Sequence, residues 1–108
     1  MLLLREKKCE PCTGKEKPFE KDEIQKFIDE INEGWKVLNG KKLKRTFPFG
    51  NFKRGMVFAQ NVALIAEQEQ HHPDLCIHYN NVEVELTTHA IDGLSENDFI
   101  MAAKIDEL

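Results

Sequence analysis

Over residues 82–87 apolar and polar side chains alternate without a break: Val82, Val84 and Leu86 against Glu83, Glu85 and Thr87. Successive side chains on a strand point to opposite faces, so this period of two builds a sheet with one dry face and one wet face. A parallel sheet is covered on both sides and reads as a continuous apolar run. The strand therefore belongs to an antiparallel sheet covered on one side. Its cover must come from the rest of a 108-residue chain, which is the size of a single domain, residues 1–108, with a modest core.

The remaining pattern supplies that cover. Ile24, Phe27, Ile28 and Ile31 recur at i, i+3, i+4 and i+7, one face of a helix that Gly34 is placed to stop. Asn39-Gly40 signals a hairpin, because both positions accept positive φ. It joins a short strand holding Trp35, Val37 and Leu38 to a return strand over 43–49, where Phe47 and Phe49 alternate with polar neighbours. A second helix over 52–70 carries a stripe of Phe52, Met56, Ala59, Ala63 and Ala66, widened by Phe58, Val62 and Ile65. Pro73 ends it by pushing the preceding residue out of helical geometry. A third strand over 75–79 turns at Asn80-Asn81 into the alternating fourth. Ser95 and Asp98 fit a capping box that opens a third helix, with Phe99, Ala102, Ala103 and Leu108 facing inward.

The order α-β-β-α-β-β-α predicts an α+β fold, a four-stranded antiparallel sheet with three helices packed on one face. A free sheet edge in so small a domain invites pairing, so a homodimer or homotetramer is expected. Residues 1–18, rich in Lys and Glu and broken by Pro11, Gly14 and Pro18, read as a mobile N-terminal extension.

Apolar residues make up 41% and the net charge is −4. That excludes the disordered class and lacks the electrostatic footprint of a nucleic-acid binder. Lys41, Lys42, Lys44 and Arg45 form a local basic run, read as a solvated strand or turn rather than a phosphate site. No apolar run approaches the roughly 20 residues of a membrane span. Leu2, Leu3 and Leu4 precede Arg5, Lys7 and Lys8, the reverse of a signal peptide, so a cytoplasmic protein with no membrane partner is expected. The odd cysteine count (Cys9, Cys12 and Cys76) argues against a disulfide framework. Cys9 and Cys12 have the spacing of half a zinc knuckle, which Cys76 and a histidine would have to complete. A reduced, mobile segment is the default.

All four histidines fall between positions 71 and 89. His71 and His72 sit where a helix ends, and partial negative charge there favours imidazolium by roughly 0.3–1 kcal/mol when exposed. Pro73 makes His72 extended, so the two rings can point into one cleft instead of diverging by about 100° as on a regular helix. His89 follows Thr87 and Thr88 at the end of the alternating strand. By parity it shares the polar face with Glu83, Glu85 and Thr87 and can meet the bend there. His78 reads as a surface or satisfied residue. Three histidines on zinc with an open water site remain an alternative.

The stretch from Glu67 to Asp98 resembles the pterin-4a-carbinolamine dehydratase family. An acidic residue, three spacers and His71-His72-Pro73 are followed by Tyr79 after five residues, His89 after nine more and Asp98 after eight more. Weaker similarity extends back through Phe52, Asn51, Phe49 and Phe47 to Trp35. The sequence departs from many members at Leu75 and Ile91, which bears on pocket shape. The resemblance implies a hydro-lyase that removes water from a 4a-hydroxytetrahydropterin to recycle tetrahydropterin, with no metal and no organic cofactor. It implies His71 and His89 as the acid–base pair and His72 as a residue that binds or orients the pterin. Glu67 would face the pterin's pyrimidine edge or orient a histidine, and Thr87 and Thr88 would offer backbone or hydroxyl hydrogen bonds. Trp35 would wall the pocket or serve as a core residue. For Asp98 the capping role suffices, and Tyr79 reads as packing. Some members of the family serve instead as dimerisation cofactors of a transcription factor, a binding-module alternative.

Overall fold

A computed structural model describes residues 2–108. Helix α1 spans Lys21–Ile28, strand β1 Lys36–Leu38, β2 Lys42–Pro48, helix α2 Phe52–Glu69, strand β3 Asp74–His78, β4 Asn81–Leu86 and helix α3 Glu96–Asp106. Short 3₁₀ turns at Leu4–Glu6 and His89–Ile91 complete the described elements. The order of helices and strands is the one the sequence predicts. The strands form one antiparallel sheet in the order β1-β2-β4-β3.

Period two does its work in β4. Val82, Val84 and Leu86 are fully buried, with Leu43 opposite Leu86 and Phe47 opposite Val82 on the neighbouring strand. The β1–β2 hairpin turns through Asn39 (φ 54°) and Gly40 (φ 68°), the double left-handed turn whose twist suits paired strands. The β3–β4 turn lies one residue earlier than expected, at Tyr79-Asn80, because His78 already pairs with Asn81. The outer sheet face is polar, and the basic run is neutralised one residue at a time. Lys41 pairs with Asp92 (3.0 Å), Lys42 with Glu85 (3.6 Å) and Lys44 with Glu83 (2.8 Å). Arg45 turns inward instead, pairing with Asp106 and lying 4.3 Å from the Phe47 ring centre.

The helices differ from their sequence reading in informative ways. α1 ends at Ile28, so Ile31 is buried beyond the helix and Gly34 is not its stop. A side chain at Gly34 would stand 2.9 Å from the Arg45 guanidinium, so close approach is what needs glycine there. On α2 the buried stripe is Gly55, Phe58, Ala59, Val62 and Ala66, while Phe52 and Ala63 are exposed. Alanines fit either flank of a stripe. Gly55 settles the rotation, because any side chain there would crowd Val82 at 3.3 Å. On α3 not only Phe99, Ala102 and Ala103 but also Ile100, Met101 and Ile105 are buried, whereas Leu108 is exposed.

A helix buried on nearly every side needs cover beyond one sheet. Residues 2–18 supply part of it, which corrects their reading as a segment apart from the core. Leu4 is 3% exposed within the core, and Lys104 donates to the Arg5 carbonyl (2.9 Å). Asn97 of α3 holds the Glu10 backbone at both its N–H (2.9 Å) and its carbonyl (2.7 Å). Phe19 packs against both Phe27 and Phe99, with ring centres 5.3 and 6.1 Å away, and those two rings also meet each other at 5.6 Å. Among the described residues no helix is long and apolar enough to cross a membrane.

Candidate active site

The site begins with the way α2 ends. Gln70 adopts the left-handed conformation (φ 55°), and its side-chain amide donates to the Glu67 carbonyl at 2.7 Å. The His71 N–H then reaches back to the Ala66 carbonyl (3.3 Å), which also accepts from the Gln70 N–H, a six-residue closure over the helix end. The helix thus stops three residues before Pro73, through a left-handed glutamine and not through the proline. The closure turns the chain toward the first turn of α3.

There His71 meets Asp98. His71 Nε2 lies 2.7 Å from Asp98 Oδ1, and the Asp98 side chain is fully buried. Its second oxygen accepts from the Thr88 hydroxyl (2.8 Å) and the Ser95 N–H (3.0 Å). Thr88 spends its hydrogen on Asp98, so the Ser95 hydroxyl, 2.8 Å away, must donate to Thr88. A buried carboxylate with three donors is well satisfied. Because it accepts, Nε2 of His71 carries the hydrogen and Nδ1 is left as the basic nitrogen of the ring. His71 is only 12% exposed, so its ring is held.

The histidine doublet splits. His72 is half-exposed and its Nε2 lies 2.6 Å from Glu67 Oε2, on the last turns of α2. Of the two roles open to Glu67, orienting a histidine is the one its contact matches. His89 does not extend β4, which ends at Leu86. Thr88 bridges back to Gly93 (N–H to carbonyl 2.8 Å), and His89 opens the following 3₁₀ turn, exposed and one peptide from Thr88. That bridge breaks the parity from which a shared polar face was expected, and Thr87 is buried with its hydroxyl on the Lys41 carbonyl (2.6 Å). The hydroxyls of Thr87 and Thr88 are therefore committed within the protein.

Trp35 lies elsewhere. It is 3% exposed, packs edge-on to Phe47 and donates its indole N–H to Asp106 (2.8 Å). Asp106 is two turns along α3 from Asp98, about 12 Å at the helical rise, so Trp35 is a core residue at the opposite end of that helix. Tyr79 is 75% exposed on its turn. Asp98 is the residue whose part the sequence reading understates. It does take the Ser95 N–H of the capping box, but its other oxygen holds His71. Its place in the spaced motif was the available signal.

Cys9 cannot join Cys76 in a zinc site. Cys9 lies against α3, with its thiol on the Asn97 carbonyl (3.6 Å), whereas Cys76 is exposed on the outer sheet face opposite Glu83. The sheet and helix layers separate them. A hollow of about 220 Å³ borders the site, lined by Ser95, Glu96 and Asn97 and by the N-terminal segment around Cys12 and Glu16. A larger one, about 420 Å³, sits at the other end of α3 beside Asp106 and holds no histidine.

Residues 17–108 match the family described as pterin 4 alpha carbinolamine dehydratase. The chain is 45% identical to a protein of Alkaliphilus metalliredigens whose name provisionally makes it a pterin-4-alpha-carbinolamine dehydratase, over 99% of this chain and 96% of that one. A Rickettsia canadensis protein of the same name is 48% identical, over 98% and 97%. Among solved structures, a transcriptional coactivator/pterin dehydratase from Brucella melitensis superposes with a TM-score of 0.77 at 32% identity, covering 83% of this chain and 96% of that one. With the fold, the spaced motif and these relatives in agreement, the chain belongs to the pterin 4 alpha carbinolamine dehydratase family.

Proposed function

We propose that this protein removes water from a 4a-hydroxytetrahydropterin to give quinonoid dihydropterin, in tetrahydropterin recycling, by histidine acid–base catalysis. The observation that carries the reading is the hydrogen bond from His71 to the buried Asp98. It fixes one tautomer and leaves Nδ1 for proton transfer. In the reaction a ring nitrogen's lone pair forms a carbon–nitrogen double bond as the carbon–oxygen bond breaks. An acid protonates the departing oxygen, which leaves as water, and a base takes a nitrogen proton. His71 and His89 fill these two roles, each typically contributing 10²–10⁴-fold. His72, steadied by Glu67, binds or orients the ring. The reaction so written needs no metal and no organic cofactor.

Two further parts of the reading rest on surface features. An oligomer is supported by the open outer edge of β3 and by exposed Phe52, Val57 and Leu64 on α2. A reducing, cytoplasmic setting is supported by three free cysteines. The same exposed apolar residues, with the name of the Brucella protein, favour a second reading, a dimerisation or coactivator-type binding module. Turnover of synthetic 4a-hydroxytetrahydropterin separates the two. The enzyme reading expects turnover that falls at least about 10²-fold in His71→Ala. An inactive wild-type protein, or an unimpaired His71→Ala, rejects it.

A further inference from the structure

Cys76, His78 and Glu83 stand together on the outer face of the sheet, away from the His71–Asp98 cluster. Cys76 and His78 are two residues apart on β3 and so share a face, and Glu83 is the register partner of Cys76 on β4. One ring nitrogen is the meeting point: His78 Nε2 lies 3.4 Å from Cys76 Sγ and 2.6 Å from Glu83 Oε2. The three ligand atoms all lie within 4.8 Å of one another. We propose that these residues form a surface binding site for a divalent zinc-class ion, with three protein ligands and a fourth position open to solvent.

The donor set is one sulfur, one nitrogen and one oxygen, which zinc accepts in tetrahedral geometry at about 2.3, 2.0 and 2.0 Å. Those bond lengths place sulfur and nitrogen roughly 3.5 Å apart and nitrogen and oxygen roughly 3.3 Å apart. The first separation already exists. The second requires Glu83 to withdraw by less than about 1 Å, a small movement for a side chain on a wet face. Lys44 holds the other carboxylate oxygen, Oε1, at 2.8 Å and leaves Oε2 for the ion. The strand backbone fixes all three positions, since two neighbouring residues on β3 and their ladder partner cannot drift apart without breaking the sheet. Thiolate and carboxylate together balance the charge of the ion, and binding releases the thiol proton.

The test is titration of the folded protein with Co²⁺, whose thiolate charge-transfer and tetrahedral ligand-field bands report the ligand set, followed by displacement with Zn²⁺. One equivalent is expected to bind with a thiolate band. That band should persist in Cys9→Ser/Cys12→Ser and vanish in Cys76→Ser. Affinity should fall at least about 10- to 100-fold in His78→Ala, the range that even outer ligand-supporting groups command. Circular dichroism checks that each variant is folded. A missing thiolate band in the wild type overturns the proposal. So does a band that survives Cys76→Ser, or an affinity unchanged in His78→Ala.

Discussion

His71 Nε2 and Asp98 Oδ1 stand 2.7 Å apart and join the end of α2 to the first turn of α3 across 27 residues. Asp98 therefore serves the fold and the site together, and two substitutions should separate those roles. Asp98→Ala leaves the Ser95 N–H, the Thr88 hydroxyl and the His71 N–H without their acceptor. It should cost about 3–5 kcal/mol in urea unfolding. Asp98→Asn keeps the volume and one acceptor oxygen but no longer enforces the histidine tautomer. Its kcat/KM should fall about 10²-fold or more at a much smaller loss of stability. Wild-type turnover in Asp98→Asn would show that the pair is structural only.

His72 and Glu67 form a hydrogen-bonded pair in which both side chains are more than half exposed. Such pairs contribute at most about 1 kcal/mol to stability, so Glu67→Gln and His72→Ala should melt close to the wild type. Their effect should appear in steady-state kinetics instead. His72→Ala should raise KM more than it lowers kcat, the signature of lost ground-state binding. If kcat alone falls, His72 belongs to the proton transfer.

Asp106 collects the Trp35 indole, the Asn32 N–H and the Arg45 guanidinium at the far end of α3. Asp106→Ala strips all three of their acceptor. The expected loss is about 2–3 kcal/mol, below the ~3–5 kcal/mol of a fully buried pair because Arg45 keeps some water contact. Chemical denaturation measures this. Catalytic constants of the folded variant should stay near wild type. A large change in KM would return Trp35 to the pterin pocket.

Burial, and then the Glu69 carboxylate, push the Cys9 thiol up to about 12 from its ordinary 9.0. Between those values the folded chain keeps a proton that the unfolded chain has lost. This contribution to stability is full below pH 9 and declines as pH rises toward 12. At pH 8, iodoacetamide followed by mass spectrometry should label exposed Cys76 at least about tenfold faster than Cys9. Unfolding free energies should fall more steeply above pH 9 in the wild type than in Cys9→Ala. Equal labelling of the two cysteines contradicts the assignment.

Much of this protein is written in local pattern. The alternation at Val82–Val84–Leu86, the Asn39-Gly40 turn and the spacing of Ile24, Phe27 and Ile28 specify the elements and their order, because each rests on contacts a few residues long. The spacing of Glu67, His71, His72, His89 and Asp98 likewise marks a family from the chain alone. What the sequence could not settle involves distant partners. The rotation of α2 depends on Gly55 meeting Val82, and the burial of α3 on Leu4 reaching back across the chain. The division of the histidine doublet depends on where Asp98 and Glu67 lie when the helices have packed. His71 and His72 are neighbours with identical side chains, and local chemistry does not distinguish them. Only the folded path, by burying Asp98 beside one ring and leaving the other at the surface with Glu67, gives them different partners and different exposure.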